Sequence, residues 1–155
     1  AIQWSMSRSF TSAEVLTEEF VRMVHGRMFA NVWNWAGEFR RSNKNIGVDK
    51  FQIGMELRNL LDDCRYWIEH STYQADEIAV RFSHRLVFIH CFPNGNGRHS
   101  RLMADVLVEK VLQRPVFTWG SITLAHKGNA RSTYLQALRA ADKGDVAPLI
   151  RFARS

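Results

Sequence analysis

His90, Arg98 and Arg101 carry most of the chemistry this chain can offer. They fall within one short run, His90-Cys91-Phe92-Pro93-Asn94-Gly95-Asn96-Gly97-Arg98-His99-Ser100-Arg101. A histidine ring, with an ordinary pKa of about 6.5, suits proton transfer near neutrality. Gly95, Asn96 and Gly97 form a turn of small residues, and apolar runs at helical spacing flank the stretch on both sides. A glycine turn that runs into a helix start is an anion site. The first amides there lack helical acceptors, and the helix dipole adds roughly half a positive charge. Arg98 and Arg101, three apart, share one helix face beside that end, and guanidinium forks hold phosphate oxygens in pairs. The simplest chemistry joining these parts is transfer of a phosphate-bearing group to a nucleophile that His90 deprotonates.

The order of parts excludes a close rival. A P-loop needs G-x-x-x-x-G-K-(S/T) after a strand, and this stretch has neither the lysine nor the strand. The plainer alternative, a glycine-rich connection with arginines in water, would suffice for an isolated Gly-Asn-Gly. It does not account for the histidine and the two arginines that converge on this one.

These residues resemble the signature of the Fic family, H-x-F-x-(D/E)-G-N-x-R-x-x-R. His90, Phe92, Gly95, Asn96, Arg98 and Arg101 fall in place, and Asn94 stands where the family has an acidic residue. The variant H-x-F-P-N-G-N-G-R-H, with flanking Trp-Ala-Gly and Asn-Ile-Gly segments, is similar to the Fic subgroup called mobile mystery protein B. The resemblance runs over roughly residues 16 to 155.

It implies an all-α fold, a single Fic-like helical domain with a small β-hairpin flap. It also implies a protein adenylyltransferase, moving AMP from ATP to a Ser, Thr or Tyr hydroxyl of a target protein with release of pyrophosphate. His90 would take the hydroxyl proton. The amides of Gly95, Asn96 and Gly97 would cradle phosphate, with Arg98 and Arg101 on the outer phosphates. Phe92 would anchor the loop. Residues Asn45, Ile46, Gly47 and Val48 match the family's flap by position, where an extended piece of the target adds by strand pairing. The family's acidic residue binds Mg²⁺, which prefers hard, charged oxygen. Asn94 keeps an oxygen and loses the charge, so a retained but weakened metal dependence is expected. A weaker Mg²⁺-ATP reaction, another nucleotide donor, or a metal held mainly by phosphate and water are the three outcomes left open.

Three readings compete at this stage. The first is a toxin-like bacterial AMP-transferring enzyme. A phosphotransferase branch of the superfamily has lysine before the first motif arginine, whereas Gly97 stands here and favours nucleotidyl transfer. The second is a binding module in which Asn94 marks lost activity. The third, nucleic-acid binding through a basic surface, lacks a compact basic stripe or a known module and is not expected. Many Fic proteins are restrained by a helix carrying (S/T)-x-x-x-E-(G/N), whose glutamate engages the second motif arginine. This sextet does not occur in the sequence. A restraint would come from residues ahead of Ala1, from a separate antitoxin-like chain, or not at all.

Composition sets the bounds. The 155 residues are 46% hydrophobic, enough for one domain with a real core. The expected organisation is one domain over 1–155, with residues 1–15 a peripheral N-terminal segment. No membrane span or signal peptide is readable. Cys64 and Cys91 suggest no disulfide framework, so a reducing cytoplasm is the expected compartment. The net charge of +6 fits a positive field around a nucleotide pocket as well as it fits scattered surface arginines. The other histidines match no zinc spacing: His84 and His90 are six apart, His25, His70 and His126 stand alone, and His99 faces elsewhere on its helix.

Elements that must position the motif follow from periodicity. Thr17 caps a helix with Phe20, Val24 and Met28 on one face. Trp33, Trp35 and Phe39 read as a core aromatic cluster. Residues 41–48 lack helical period and read as a surface loop or a short hairpin. An apolar face runs from Phe51 to Glu69. Asp76 is expected to cap a nearly all-apolar helix that is buried in the middle of the domain and ends at His90. Helical period resumes over Asn96–Leu112 and stops before Pro115. Residues 116–126 are irregular, and Arg131–Ala141 is helical with Gly144 closing it and Asp145 capping a last turn. Tyr134 and Leu138 resemble the family's Tyr-x-x-Ala-Leu region and are placed equally well in a base pocket or in the core.

Overall fold

The computed structural model describes residue 4 and residues 8–121 and 127–155. His126, the end of the irregular stretch and most of the first seven residues lie outside them. Helix α1 spans Ser12–Val15, α2 Glu18–Phe29, α3 Ile53–His70, α4 Ala75–Ile89, α5 Asn96–Val106, α6 Lys127–Asp142 and α7 Ala147–Ala153. Among the described residues no strand forms.

Thr17 caps α2 as its sequence demands, its Oγ1 accepting the Phe20 amide at 3.1 Å. A capping box of Thr11 and Glu14 starts α1 just before it. A 3-10 turn over Lys50–Gln52, held by Asp49, leads into α3, so Phe51 lies outside the apolar face and is exposed. The α3 face that faces inward is Ile53, Leu57, Leu60, Leu61 and Cys64. α4 starts at Ala75, and Gln74 rather than Asp76 holds the cap position. Asp76 is drawn instead into a paired contact with Arg154, at 2.6 and 2.8 Å. A two-pronged guanidinium bond outweighs a single cap bond here.

α4 is the central element, packed against α3, α5 and α7. Its residues Ile78, Ala79, Val80, Phe82, Leu86 and Ile89 are all buried. Phe82 and Phe92 are fully buried, each worth about 2 kcal/mol of transfer free energy. α5 widens at its end into a π-helical turn, Leu107–Val111, where the Leu112 amide reaches Leu107 O at 3.0 Å. The helical run thus ends ahead of Pro115. Residues 118–120 then bond to the C-terminal carbonyls of Ala153 and Ser155. Gly144, at φ 96°, closes α6, and Asp145 Oδ1 accepts the Ala147 amide at 3.2 Å. Cys64 and Cys91 are both buried free thiols. Among the described residues no helix is long and apolar enough to cross a membrane.

Candidate active site

α4 stops at His90 because the chain turns left there, with φ 58° and ψ 60°, a region that side-chain-bearing residues seldom enter. The amide of His90 still donates to Leu86 O at 3.3 Å. The turn leaves the ring half-buried on the wall of a cleft of about 1030 Å³. Burial, with the Arg40 and Lys44 charges added to it, holds this ring below its ordinary pKa. The imidazole is therefore neutral at pH 7 and free to accept a proton.

The motif turn crosses the cleft next. Gly95 sits at φ 79°, and a Cβ there would come within 2.6 Å of the Phe29 ring and 3.2 Å of Trp33. Only glycine fits. Asn96 is buried, and its side chain stitches the loop to itself. The Phe92 amide donates to Asn96 Oδ1 at 3.0 Å, and Asn96 Nδ2 donates to Phe92 O at 2.8 Å. Gly95 N–H donates to Asn94 Oδ1 at 2.8 Å, so a phosphate reaching that amide has to displace the Asn94 side chain. The next amides, of Asn96 and Gly97, open α5 and carry no side-chain cap among the described residues. Arg98 lies over the Phe29 ring at 4.8 Å and Arg101 over the Tyr134 ring at 4.7 Å. Both arginines line the cleft with His90, Asn94, Gly95, Asn96 and Gly97.

Behind the turn, the aromatic cluster forms its floor. Trp33 and Trp35 stack at 4.5 Å, and Phe39 lies 5.8 Å from Phe92. His25, fully buried, stacks on Phe92 at 3.8 Å. Its tautomer is fixed by its neighbours: Gly37 N–H donates to Nδ1 at 2.9 Å, so Nε2 carries the proton and donates to Asn94 O at 3.0 Å. His25 therefore pins the motif loop from the helix α2 side. Burial lowers its pKa first, with the Arg98 charge adding to that effect. His99 faces away from the cleft, bonded to Val21 O at 2.9 Å, and burial pushes its pKa down to about 3.

The same cleft is lined by Val87, Phe88, Trp119, Tyr134, Leu138 and Phe152, with His84, Arg131 and Asp142 among them. Tyr134 and Leu138 thus line the cleft while packing into the core. The Tyr134 hydroxyl is buried with no partner among the described residues. The Trp119 indole is held by Asp105, whose Oδ1 accepts its Nε1–H at 3.1 Å and the Phe117 amide at 3.2 Å. Burial raises the Asp105 carboxyl to about 6. A second, more open depression of about 650 Å³ lies between α2 and residues 36–37 and contains none of the motif residues.

Asn45, Ile46 and Gly47 form one lip of the cleft, and Val48 N–H donates to Ile89 O at 3.3 Å. The expected β-hairpin is absent. Side-chain bonds take the place of cross-strand pairs: Asn43 Oδ1 accepts the Lys50 amide at 2.8 Å, while the carbonyls of Ser42 and Val48 accept from Arg40. Arg40 is almost fully buried, and its sequence position gave no sign of this. His25 was equally unreadable, because its partner Asn94 is 69 residues away.

As a magnesium site the donor set is poor. Asn94 contributes one neutral oxygen, already engaged by Gly95 N–H. Among the described residues no group of three His, Cys, Asp or Glu comes together. These residues do not build a cage for a divalent ion.

The Fic/DOC family model matches residues 15–108. The protein adenylyltransferase Fic of Drosophila virilis is 32% identical over 119 residues, covering 75% of this chain and 23% of that protein. Its counterpart in Aedes aegypti is 29% identical over 143 residues, 90% of this chain and 27% of that protein. The chain spans about a quarter of the length of these curated relatives. Fic-1 (aa134–508) from C. elegans shares the fold with a TM-score of 0.72 at 22% identity, over 89% of this chain and 39% of that one. BepC from Bartonella tribocorum, solved with bound AMPPNP, does so with a TM-score of 0.68 at 18% identity, over 91% and 74%. The matched span takes in the motif and the helices on both sides of it, and the chain belongs to the Fic/DOC family.

Proposed function

We propose that this chain is a Fic-type nucleotidyltransferase that moves AMP from ATP to a hydroxyl side chain, Ser, Thr or Tyr, of a target protein. The observation that carries the reading is a neutral, half-buried His90 in the same cleft as the uncapped amides of Asn96 and Gly97 and the guanidinium groups of Arg98 and Arg101. The target hydroxyl gives its proton to the His90 ring, and its oxygen bonds to the α-phosphorus of ATP. The bond from that phosphorus to the bridging oxygen breaks, and pyrophosphate leaves with the electron pair. Arg98, Arg101 and the α5 amides hold the outer phosphates and offset their growing charge. The aromatic walls Trp119 and Tyr134, the latter with a hydroxyl that has no partner among the described residues, suit the purine base. Residues Asn45, Ile46, Gly47 and Val48 would receive an extended piece of the target by main-chain pairing.

In this reading the chain acts as a single domain over 1–155, in the cytoplasm of a bacterium, as a toxin-like member of the mobile mystery protein B subgroup. The run from His90 to His99 is what supports that assignment. A restraint, if the protein has one, would come from residues ahead of Ala1 or from an antitoxin-like partner chain. A second reading, a nucleotide-binding module with little transfer, is favoured by one observation only, the engaged and neutral Asn94 Oδ1.

ATP labelled on the α-phosphate or on the γ-phosphate, added to bacterial lysate with the protein, separates these readings. Adenylyl transfer labels a protein band from the α-label alone. A band from the γ-label means phosphotransfer, and retention of nucleotide with no band means a binding module. Asn94→Asp restores a charged oxygen and is expected to raise transfer several-fold at limiting Mg²⁺ and to sharpen its sensitivity to EDTA. Indifference to both would show that residue 94 has no part in metal use.

A further inference from the structure

Arg40 is 3% exposed, and all of its side-chain hydrogen bonds go to backbone carbonyls. Nε donates to His90 O at 2.5 Å, Nη2 to Ile89 O at 3.2 Å and to Val48 O, and Nη1 to Ser42 O at 3.0 Å. Its own amide donates to Cys91 O at 2.9 Å. The left-handed turn at His90 leaves the last carbonyls of α4 without helical partners, and they carry the negative end of the helix dipole. A buried guanidinium meets both needs. Its planar fork reaches several oxygens at once, which a lysine ammonium on a flexible stem does not. The same fork also closes residues 42–48 into a loop and draws that loop onto the helix end. Gly47 is pressed so close that a Cβ there would lie 2.7 Å from His90 Cβ and 2.9 Å from Arg40 Nη2.

We propose that Arg40 is the positioning residue of this site: it ties the backbone of His90 to the 42–48 lip, so that the base and the surface receiving the target keep one spacing. The proposal rests on the adenylyl-transfer reading for its consequence in turnover, and on geometry alone for the tie itself. Nucleotide is held by α5 and its arginines, which Arg40 does not touch. Loss of the tie therefore separates transfer from nucleotide binding.

The test compares wild type, Arg40→Lys and Gly47→Ala by three readouts: amide exchange at Val48, the NMR signals of the His90 ring, and label transfer alongside ATP affinity. Arg40→Lys is expected to speed Val48 exchange at least about tenfold and to shift the His90 ring signals. It is expected to lower transfer on the order of a hundredfold, the cost of a slightly misplaced reacting group, with ATP affinity within about threefold. Gly47→Ala keeps Arg40 but pushes the lip away, and is expected to shift the same ring signals. Arg40→Met removes the charge as well, so the His90 pKa rises, whereas Arg40→Lys leaves it low.

Unchanged Val48 exchange and unchanged His90 signals in Arg40→Lys would overturn the proposal. So would a loss of transfer matched by an equal loss of ATP binding, which marks a merely structural role. If neither Arg40 variant folds, Gly47→Ala decides by turnover: transfer that falls while ATP affinity holds is expected from a displaced lip, and unchanged transfer would overturn the fixed spacing. If wild type transfers no AMP, the exchange and ring-signal arms decide without it, and the failure belongs to the proposed reaction.

Discussion

The two lips of the cleft are built on opposite principles. On one side, the motif turn is held from several directions: His25 takes Asn94 O, the Asn96 side chain clasps Phe92, and Phe29 and Trp33 close against Gly95. On the other side, residues 42–48 are mostly exposed and are held to the helix end by one buried arginine and one backbone bond from Val48 to Ile89, with Asn43 bonded to the adjoining residues 49 and 50. Packing fixes the amide directions on the first side, as the proposed handling of phosphate requires. The proposed role of the second lip, accepting part of another protein, needs free backbone, and its residues between the tethers are exposed. The first lip is part of the core, and the second is attached to it.

Gly95 and Gly47 give the sharpest test of that contrast, since both sit at positive φ against a close neighbour. Gly95→Val should cost about 3 kcal/mol or more in denaturant unfolding, because the Phe29 and Trp33 rings cannot retreat. A cost below about 1 kcal/mol would mean that the turn is as loosely held as the opposite lip.

Acid should strike the motif side next. His25, His90 and His99 all have pKa values lowered by burial. The unfolded chain therefore binds protons that the folded chain refuses. Stability is complete above the unfolded value of about 6.5 and falls as pH drops, with His99 contributing down to about 3. Thermal unfolding followed from pH 7 to pH 4 should show this fall, and His99→Gln should flatten it. Asp105, raised to about 6 by burial, opposes this fall in both proteins alike, so a profile that His99→Gln leaves unchanged would place the His99 ring in water.

The smallest expected change in stability is on the tethered lip. Gly47→Ala should cost about 1 kcal/mol, since the segment can lift away from His90 to relieve the contact. A cost equal to that at Gly95 would erase the distinction between the two lips.

What could be read from the sequence follows the same division. The geometry proposed to bind phosphate is local, set by Gly95, Asn96, Gly97, Arg98 and Arg101 within one turn and one helix, and such patterns survive in a linear sequence. The helices of the core were legible for the same reason, from Thr17 as a cap to the apolar face of α4. Capping by Asp76 was misread because Arg154, 78 residues away, claims its carboxylate. The hairpin was misread because its carbonyls bond to the Arg40 side chain rather than to a facing strand. His25 and Arg40 act through backbone oxygens far along the chain, and backbone oxygens leave no residue pattern to find.

The central claim is a division of labour in which His90 moves the proton and other groups hold the nucleotide. His90→Ala tests it most directly, with label transfer from α-labelled ATP and ATP affinity measured on the same preparation. Transfer should fall by about 10²-fold or more, the usual share of a general base, while ATP affinity stays within about threefold. Transfer that persists in the variant, or an affinity that collapses with it, would contradict the account.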